Sequence, residues 1–543
     1  MTVQDMTVAG VIAQACAKHG VKRAFGVPGG GSSLDLIEAF GHCGIDFVLC
    51  RTEAGAMLAA AADAEIRNSF GVAVTTQGPG TASAMNGLAH SALDRAPVLF
   101  ISDGWTQAQL AIDTHQVFDQ RAMSAPVAKA SSRLEAADPA PELDGLIALM
   151  LAAPWGPVHI ELTGENARRV VSGGKGVQGA AGSHAAKARG PSTGHGDAPA
   201  LLRAAKRPVL LVGLESRDEG APARLLEMAQ RLQCPVLATY KAKGIISDES
   251  PWAVGHFTGG AAEGPCIAAA DLVILCGLDP VELIGKPWTC QAPVIDVALV
   301  AHAVHPVKPA AGLYGPLAAS LDALLPACSA SDWSASAIAG LRSDMAARLA
   351  YQGEAAGLSP QQVVQKAMEA AGPDRPAVTV DAGAHMFSAM AFWQARAAGS
   401  ALISNGLATM AYALPAGIAS ALASPERPTV VFTGDGGLMM CAGELATAAQ
   451  SGARVCVIVF NDGALSLIAL KQRNRGMAEA GVVWPRADFA GVARGFGLKA
   501  FTAATAPEYE DALRQAFRHD GPCLIDVHVD PSGYRAQARS LRG

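Results

Sequence analysis

The chain has 543 residues, half of them hydrophobic, with 42 Lys and Arg against 48 Asp and Glu and a formal net charge of −6. That composition excludes a disordered chain, and without a basic excess neither nucleic acid nor a membrane surface is an expected partner. At roughly 100–200 residues per domain, about three domains are expected. The eleven cysteines are scattered, with no C-x-x-C pair, which argues against a zinc site or a disulfide framework. The opening MTVQDMTVAGVIAQACAKHG lacks a signal peptide's basic and long apolar regions, and the most apolar stretch, 408–424, is interrupted by Pro415. A soluble, cytoplasmic protein is therefore expected.

In chain order, Val8–His19 reads as a helix, Ala24–Val27 as a strand leading into PGGGSS, and Ser33–Phe40 as a helix. Asp46–Leu49 reads as a strand, Ala54–Arg67 as a helix, and Val72–Thr75 and Val98–Ser102 as further strands. Such alternation implies a parallel sheet with helices on both faces. A first domain thus covers 1–171. Residues 172–198, rich in Gly, Ala, Ser and His, are expected to be a linker. A central α/β domain over 199–328 has strands at Val209–Val212, Val236–Ala238, Leu272–Cys276 and Val294–Asp296. A second, partly helical linker over 329–358 precedes a third α/β domain, 359–543. Its strands are Ala377–Val380, Thr429–Thr433, Val455–Phe460 and Cys523–Val527. The fold class is therefore α/β, with three doubly wound parallel-sheet domains of similar rhythm and no clear sequence repeat.

The strongest signal is Gly434-Asp435-Gly436, then 24 residues, then Asn461-Asp462-Gly463. Each triplet alone reads as a tight turn. Together they sit at the carboxyl ends of two strands of one βαβ unit, on the sheet edge where ligands bind. A carboxylate, an amide oxygen and a backbone carbonyl are hard ligands that suit Mg²⁺ or Ca²⁺ with a diphosphate. The glycines allow the backbone to come close to phosphate.

This pairing resembles the thiamin diphosphate motif, and the likeness extends over nearly the whole chain to the acetolactate synthase-like family. That family includes acetohydroxyacid synthases, benzaldehyde lyase and 2-keto acid decarboxylases. The resemblance implies Asp435, Asn461 and the carbonyl of Gly463 as Mg²⁺ ligands. It implies Gly383, Ala384 and His385, in Asp381-Ala382-Gly383-Ala384-His385, as diphosphate contacts, together with Gly436, Gly437, Ala464 and Leu465. Asn405-Gly406-Leu407-Ala408-Thr409-Met410-Ala411-Tyr412-Ala413-Leu414-Pro415 resembles the segment under the cofactor's bend, with Leu407 and Met410 as contacts. There Ala408 and Ala411 stand where the family has glycine.

Arg51-Thr52-Glu53-Ala54-Gly55-Ala56 resembles the family's R-H-E-x-G-A. Glu53, at a strand-to-helix junction against an Ala-rich helix, is expected to be partly desolvated and able to hold a proton. The resemblance gives it a hydrogen bond to N1′ of the pyrimidine; the plainer reading is a helix-start carboxylate. Thr76-Gln77-Gly78-Pro79-Gly80 resembles a turn beside the cofactor, naming Gly78 and Pro79. In Thr114-His115-Gln116-Val117-Phe118-Asp119-Gln120, Gln116 matches a glutamine facing reacting atoms. His115 is a candidate proton donor by its near-neutral pKa, or a loop histidine in solvent.

Leu467 stands where simple decarboxylases of the family carry a glutamate, which favours carboligation after decarboxylation of a 2-keto acid. A 2-keto acid decarboxylase and a benzaldehyde lyase or acyl-CoA-type C–C lyase are alternatives. So is a catalytically silent nucleotide-binding protein on the same fold. The family's flavin segments appear here as Gly277-Leu278-Asp279-Pro280-Val281-Glu282 and Val294-Ile295-Asp296-Val297, without the arginine and paired aspartates, which makes FAD doubtful. The expected partners are a small 2-keto acid or aldehyde and further copies of the chain, as a homodimer or homotetramer.

Overall fold

The strands that build the core are runs of apolar, often β-branched residues buried on both faces, as parallel sheets covered by helices require. Val72–Val74, Val430–Phe432 and Val455–Phe460 show this pattern. The computed structural model describes residues 6–171, 193–283, 285, 287–353, 357–373 and 375–542. The chain packs into two compact units. One comprises Met1–His184, Leu414–Glu426 and Cys441–Arg454; the other comprises Ala185–Ala413, Arg427–Met440 and Val455–Gly543.

The first unit holds a six-stranded parallel sheet: β1 (Arg23–Val27), β2 (Asp46–Leu49), β3 (Gly71–Thr75), β4 (Val98–Gly104), β5 (Ser131–Ser132) and β6 (Val158–Thr163). Their order is β2-β1-β3-β4-β6-β5. The helices Glu53–Arg67 and Pro79–Leu93 pack on each other at close range. A Cβ at Gly87 would lie 2.3 Å from the Met57 Cβ, so the approach depends on that glycine and on the run Ala59–Ala62.

The second unit holds two sheets. The central one comprises β7 (Thr193–His195), β8 (Pro208–Val212), β9 (Val236–Ala238), β10 (Ala253–His256), β11 (Leu272–Cys276), β12 (Val294–Ala298) and β13 (Ala311–Tyr314). It runs β10-β9-β8-β11-β12-β13-β7, and β7 is antiparallel to its neighbour. The third sheet comprises β14 (Val378–Val380), β15 (Ala401–Ile403), β16 (Thr429–Gly434), β17 (Val455–Asn461), β18 (Lys499–Ala503) and β19 (Cys523–His528). Its order, β15-β14-β16-β17-β19-β18, repeats that of the first sheet. Among the described residues no helix is long and apolar enough to cross a membrane.

Two expected linkers differ from the structure. Most of the first, 172–192, lies outside the described residues, and its last part is not a spacer: Thr193–His195 is an edge strand and the next helix starts at Ala198. Within the second, Ala335–Leu349 is a helix that buries Ile338, Met345 and Leu349 in the central core. Its polar and alanine-rich exposed face hides that three-residue apolar stripe.

Beyond the central strand ends, Glu282 is buried. Its carboxylate accepts the Leu214 N–H at 2.8 Å, the Asp279 N–H at 3.2 Å and the Thr239 hydroxyl. Burial pushes its pKa up from 4.5 to about 8. A raised folded-state pKa gives stability that is full below the unfolded value and is lost as pH rises towards 8, by about 1.4 kcal/mol per pH unit. Glu282→Gln imitates the protonated carboxyl. Its stability in urea is expected to depend less on pH between 5 and 8 than that of the wild type. An unchanged gap between the two proteins at both ends of that range would refute the assignment.

Candidate active site

Asp435 is the residue after β16 and the first of the helix Asp435–Cys441. One carboxylate oxygen accepts the Gly436 N–H at 2.8 Å and the other the Gly463 N–H at 2.7 Å, so one side chain ties the two turns together. Burial, with the charge of Asp462 beside it, pushes Asp435 up to about 7. Asn461 is the last residue of β17 rather than the first beyond it, because its backbone stays in register with His528. Its amide nitrogen donates to the Ala487 carbonyl at 3.0 Å and to Asp526 at 2.9 Å. That fixes the amide orientation and leaves Oδ1 buried without a hydrogen-bond partner. The Gly463 carbonyl accepts the Trp484 N–H at 2.9 Å, with a lone pair to spare. A desolvated carboxylate, an orphaned amide oxygen and a carbonyl are a donor set that fits Mg²⁺.

Around them the backbone has no room for side chains. A Cβ at Gly436 would lie 2.9 Å from Leu465, and one at Gly437 2.3 Å from the Asp381 carboxylate. Gly383, at φ +157°, lies under the His385 ring. His385 is buried and stacks on Phe460 with ring centroids 5.1 Å apart. Burial lowers its pKa to about 4, so the imidazole is neutral at pH 7, and its Nε2 has no partner. A neutral imidazole still carries one N–H to give to a phosphate oxygen. A cavity of about 210 Å³ brings together Gly383, His385, Met410, Gly436, Leu465 and Leu467, and Ala384, Gly437 and Ala464 also line it. Leu407 is half-buried and outside that lining.

Asp381 is the organiser that motif reading passes over. It accepts the N–H groups of Ala382, Ala411 and Tyr412 and the Thr433 hydroxyl, so it joins three loops of the site. Burial pushes it up to about 6 against those donors. Ala408 and Ala411 flank Met410 at φ +53° and +68°. Both alanines thus adopt the left-handed backbone that glycine favours, at a cost of about 1–2 kcal/mol each.

In the first unit Glu53 is half-buried at the start of its helix. The Thr52 hydroxyl accepts the Gly55 N–H as the helix cap. Glu444, within the same unit, accepts the N–H groups of Arg51 and Thr52 and the Thr52 hydroxyl, at 2.9–3.2 Å. The junction that presents Glu53 is thus clamped by a residue almost 400 positions later, for which the sequence carries no signal. Gly78 adopts φ +62° and caps the helix that begins at Pro79. Its N–H donates to Gln120, which also accepts from the Thr81 hydroxyl. Gln116, at φ +62°, presses its backbone against Gly78, and His115 is exposed with its N–H on Asp113.

At the central sheet, two buried carboxylates hold backbone amides near the strand ends. Glu282 holds the amides of Leu214 and Asp279, while Glu215 accepts the Leu299 N–H at 2.7 Å and pairs with His302 at 3.0 Å.

Three family models match the chain. They are "Thiamine pyrophosphate enzyme, N-terminal TPP binding domain" over residues 6–123, the central domain of the same enzymes over 196–324, and the C-terminal TPP binding domain over 381–527. The chain is 26% identical to the acetolactate synthase of Bacillus subtilis (strain 168), over 96% of this chain and 93% of that protein. It is 28% identical to the acetolactate synthase isozyme 1 large subunit of Escherichia coli (strain K12), over 97% and 95%. It is also 29% identical to a probable 2-ketoarginine decarboxylase of Pseudomonas aeruginosa, over 96% and 94%.

Proposed function

Because this chain belongs to the thiamine pyrophosphate enzymes, with the acetolactate synthase-like arrangement of three domains, we propose that it decarboxylates a 2-keto acid and transfers the remaining acyl unit to a second carbonyl compound. When bound, thiamin diphosphate supplies the nucleophilic carbon that takes up the keto carbon and the negative charge left by CO₂. Asp435, Asn461 and the Gly463 carbonyl hold Mg²⁺. The amides of Gly436, Gly437, Ala464 and Leu465 and the His385 N–H bind the diphosphate. Met410 supports the bend between the rings, and Glu53 holds a proton at N1′. Gln116 faces the reacting carbonyl. His115, exposed in its loop, is the candidate proton donor.

The observation that carries transfer over simple aldehyde release is Leu467, an apolar residue lining the cavity at the position where the family's simple decarboxylases carry a glutamate. The lack of the family's flavin arginine and paired aspartates in 277–282 and 294–297 speaks for an enzyme without FAD. The protein is read as a cytoplasmic homodimer or homotetramer, since closed symmetric assembly is the rule for soluble oligomers. The test gives the Mg²⁺-loaded holoenzyme a 2-keto acid and compares CO₂ with products. Two keto acids consumed per CO₂, with a joined 2-hydroxy-keto product, are expected. One aldehyde per CO₂ would replace the transferase reading by that of a decarboxylase.

A further inference from the structure

Among the described residues of the central domain, Glu215, Asp279 and His302 each offer one ligand atom, and the three atoms lie within 4.8 Å of one another. None of them lines the cofactor cavity. They come from the loops that follow β8, β11 and β12, three neighbouring parallel strands, at the carboxyl edge where ligands collect. Glu215 and Asp279 are buried, and the His302 side chain is 8% exposed. Backbone amides orient both carboxylates. The Leu299 N–H donates to Glu215 Oε2 at 2.7 Å and the Val281 N–H to Asp279 Oδ1 at 3.0 Å. His302 Nε2 stands 3.0 Å from Glu215 Oε1.

An ion pair accounts for that last contact alone, but not for its surroundings. Asp296, on β12 and 1% exposed, has no hydrogen-bond partner for either carboxylate oxygen. The charges of Glu215, Asp279 and Asp296 all act on His302, and His305 Nε2 lies 3.5 Å from Asp296 Oδ2. Three buried carboxylates thus stand against two imidazoles, an excess of negative charge that is costly away from water. Two ligands that each sit about 2.0–2.2 Å from one Zn²⁺ lie roughly 3–3.5 Å apart, the spacing of Nε2 and Oε1. An imidazole nitrogen with carboxylate oxygens suits Zn²⁺, whereas Mg²⁺ prefers oxygen throughout. We propose that Glu215, Asp279 and His302 bind a divalent transition-metal ion of the Zn²⁺ class, with Asp296 adding negative charge beside them. The ion takes the place of the proton shared by His302 and Glu215 and fastens together the loops after three adjacent strands.

The test dialyses the full-length protein, loaded with thiamin diphosphate and millimolar Mg²⁺, against micromolar Zn²⁺ and counts the zinc bound. The wild type is expected to hold one zinc per chain beyond what His302→Gln retains. Co²⁺ in place of Zn²⁺ is expected to give the wild type a visible absorption band that His302→Gln lacks, a signature no ion pair produces. Glu215→Gln keeps an acceptor for the Leu299 N–H and is expected to weaken zinc at least ten-fold. Asp296→Asn is expected to weaken it several-fold. If Glu215→Gln does not fold, the cobalt band and the other two variants decide. Equal zinc in wild type and His302→Gln, unchanged affinity in the folded variants, or zinc displaced by Mg²⁺ would each overturn the proposal and leave Glu215 and His302 as an ion pair only.

Discussion

Asp435→Ala is expected to leave a folded protein that no longer retains thiamin diphosphate. In the proposed site the side chain is an anionic ligand to a dication that would in turn hold a diphosphate, and it bridges the Gly436 and Gly463 amides. Removing one partner of a buried charge pair costs about 3–5 kcal/mol, or roughly 10²–10⁴-fold in affinity. Burial pushes the Asp435 carboxyl up to about 7, so Mg²⁺ has to displace a proton there. Cofactor loading of the wild type is therefore expected to weaken as pH falls below 7. Equilibrium dialysis of the cofactor at fixed Mg²⁺ measures both effects. An affinity within a few-fold of wild type, still dependent on Mg²⁺, would remove Asp435 from the metal site.

Glu53→Gln is expected to act in the opposite way, sparing binding and removing chemistry. Glutamine keeps the shape and one hydrogen bond but cannot trade a proton with N1′. Binding rests on the metal and diphosphate, so the dissociation constant should rise only a few-fold. Exchange of the cofactor's C2 proton should slow by about 10²–10⁴-fold, the usual contribution of a positioned acid–base group. Quenched deuterium exchange read by NMR, beside turnover of a 2-keto acid, separates the two. Exchange close to the wild-type rate would make Glu53 a helix-start carboxylate and nothing more.

The proposed metal ligands stand out because they are short local words, GDG and NDG, placed by βαβ geometry at strand ends. The core strands were readable for a related reason: parallel strands buried on both faces are continuous apolar runs, as in Val455–Phe460. What escaped reading is what depends on distant pairing. The strands Ala401–Ile403 and Lys499–Ala503 are short or half-polar and are completed by their neighbours. The network of Asp381 and the clamp of Glu444 join residues dozens to hundreds of positions apart. Asp526 orients the Asn461 amide from a strand 65 residues away. Ala408 and Ala411 are a different case: alanine's residue type argues against the left-handed backbone both adopt, and only at Ala411 does an N–H bond to Asp381 help to hold it.

The first unit's makeup also sets an order of events during synthesis. Its sheet is complete once residue 163 has been made, yet it counts Leu414–Glu426 and Cys441–Arg454 among its own members. At roughly 5–20 residues per second, a ribosome takes on the order of tens of seconds to travel that far. Through that interval the Arg51 and Thr52 amides face water rather than Glu444, and the helix start bearing Glu53 has no clamp. A nascent chain released early, or a gene cut after the central domain, would thus carry Glu53 without the residue that fixes the start of its helix.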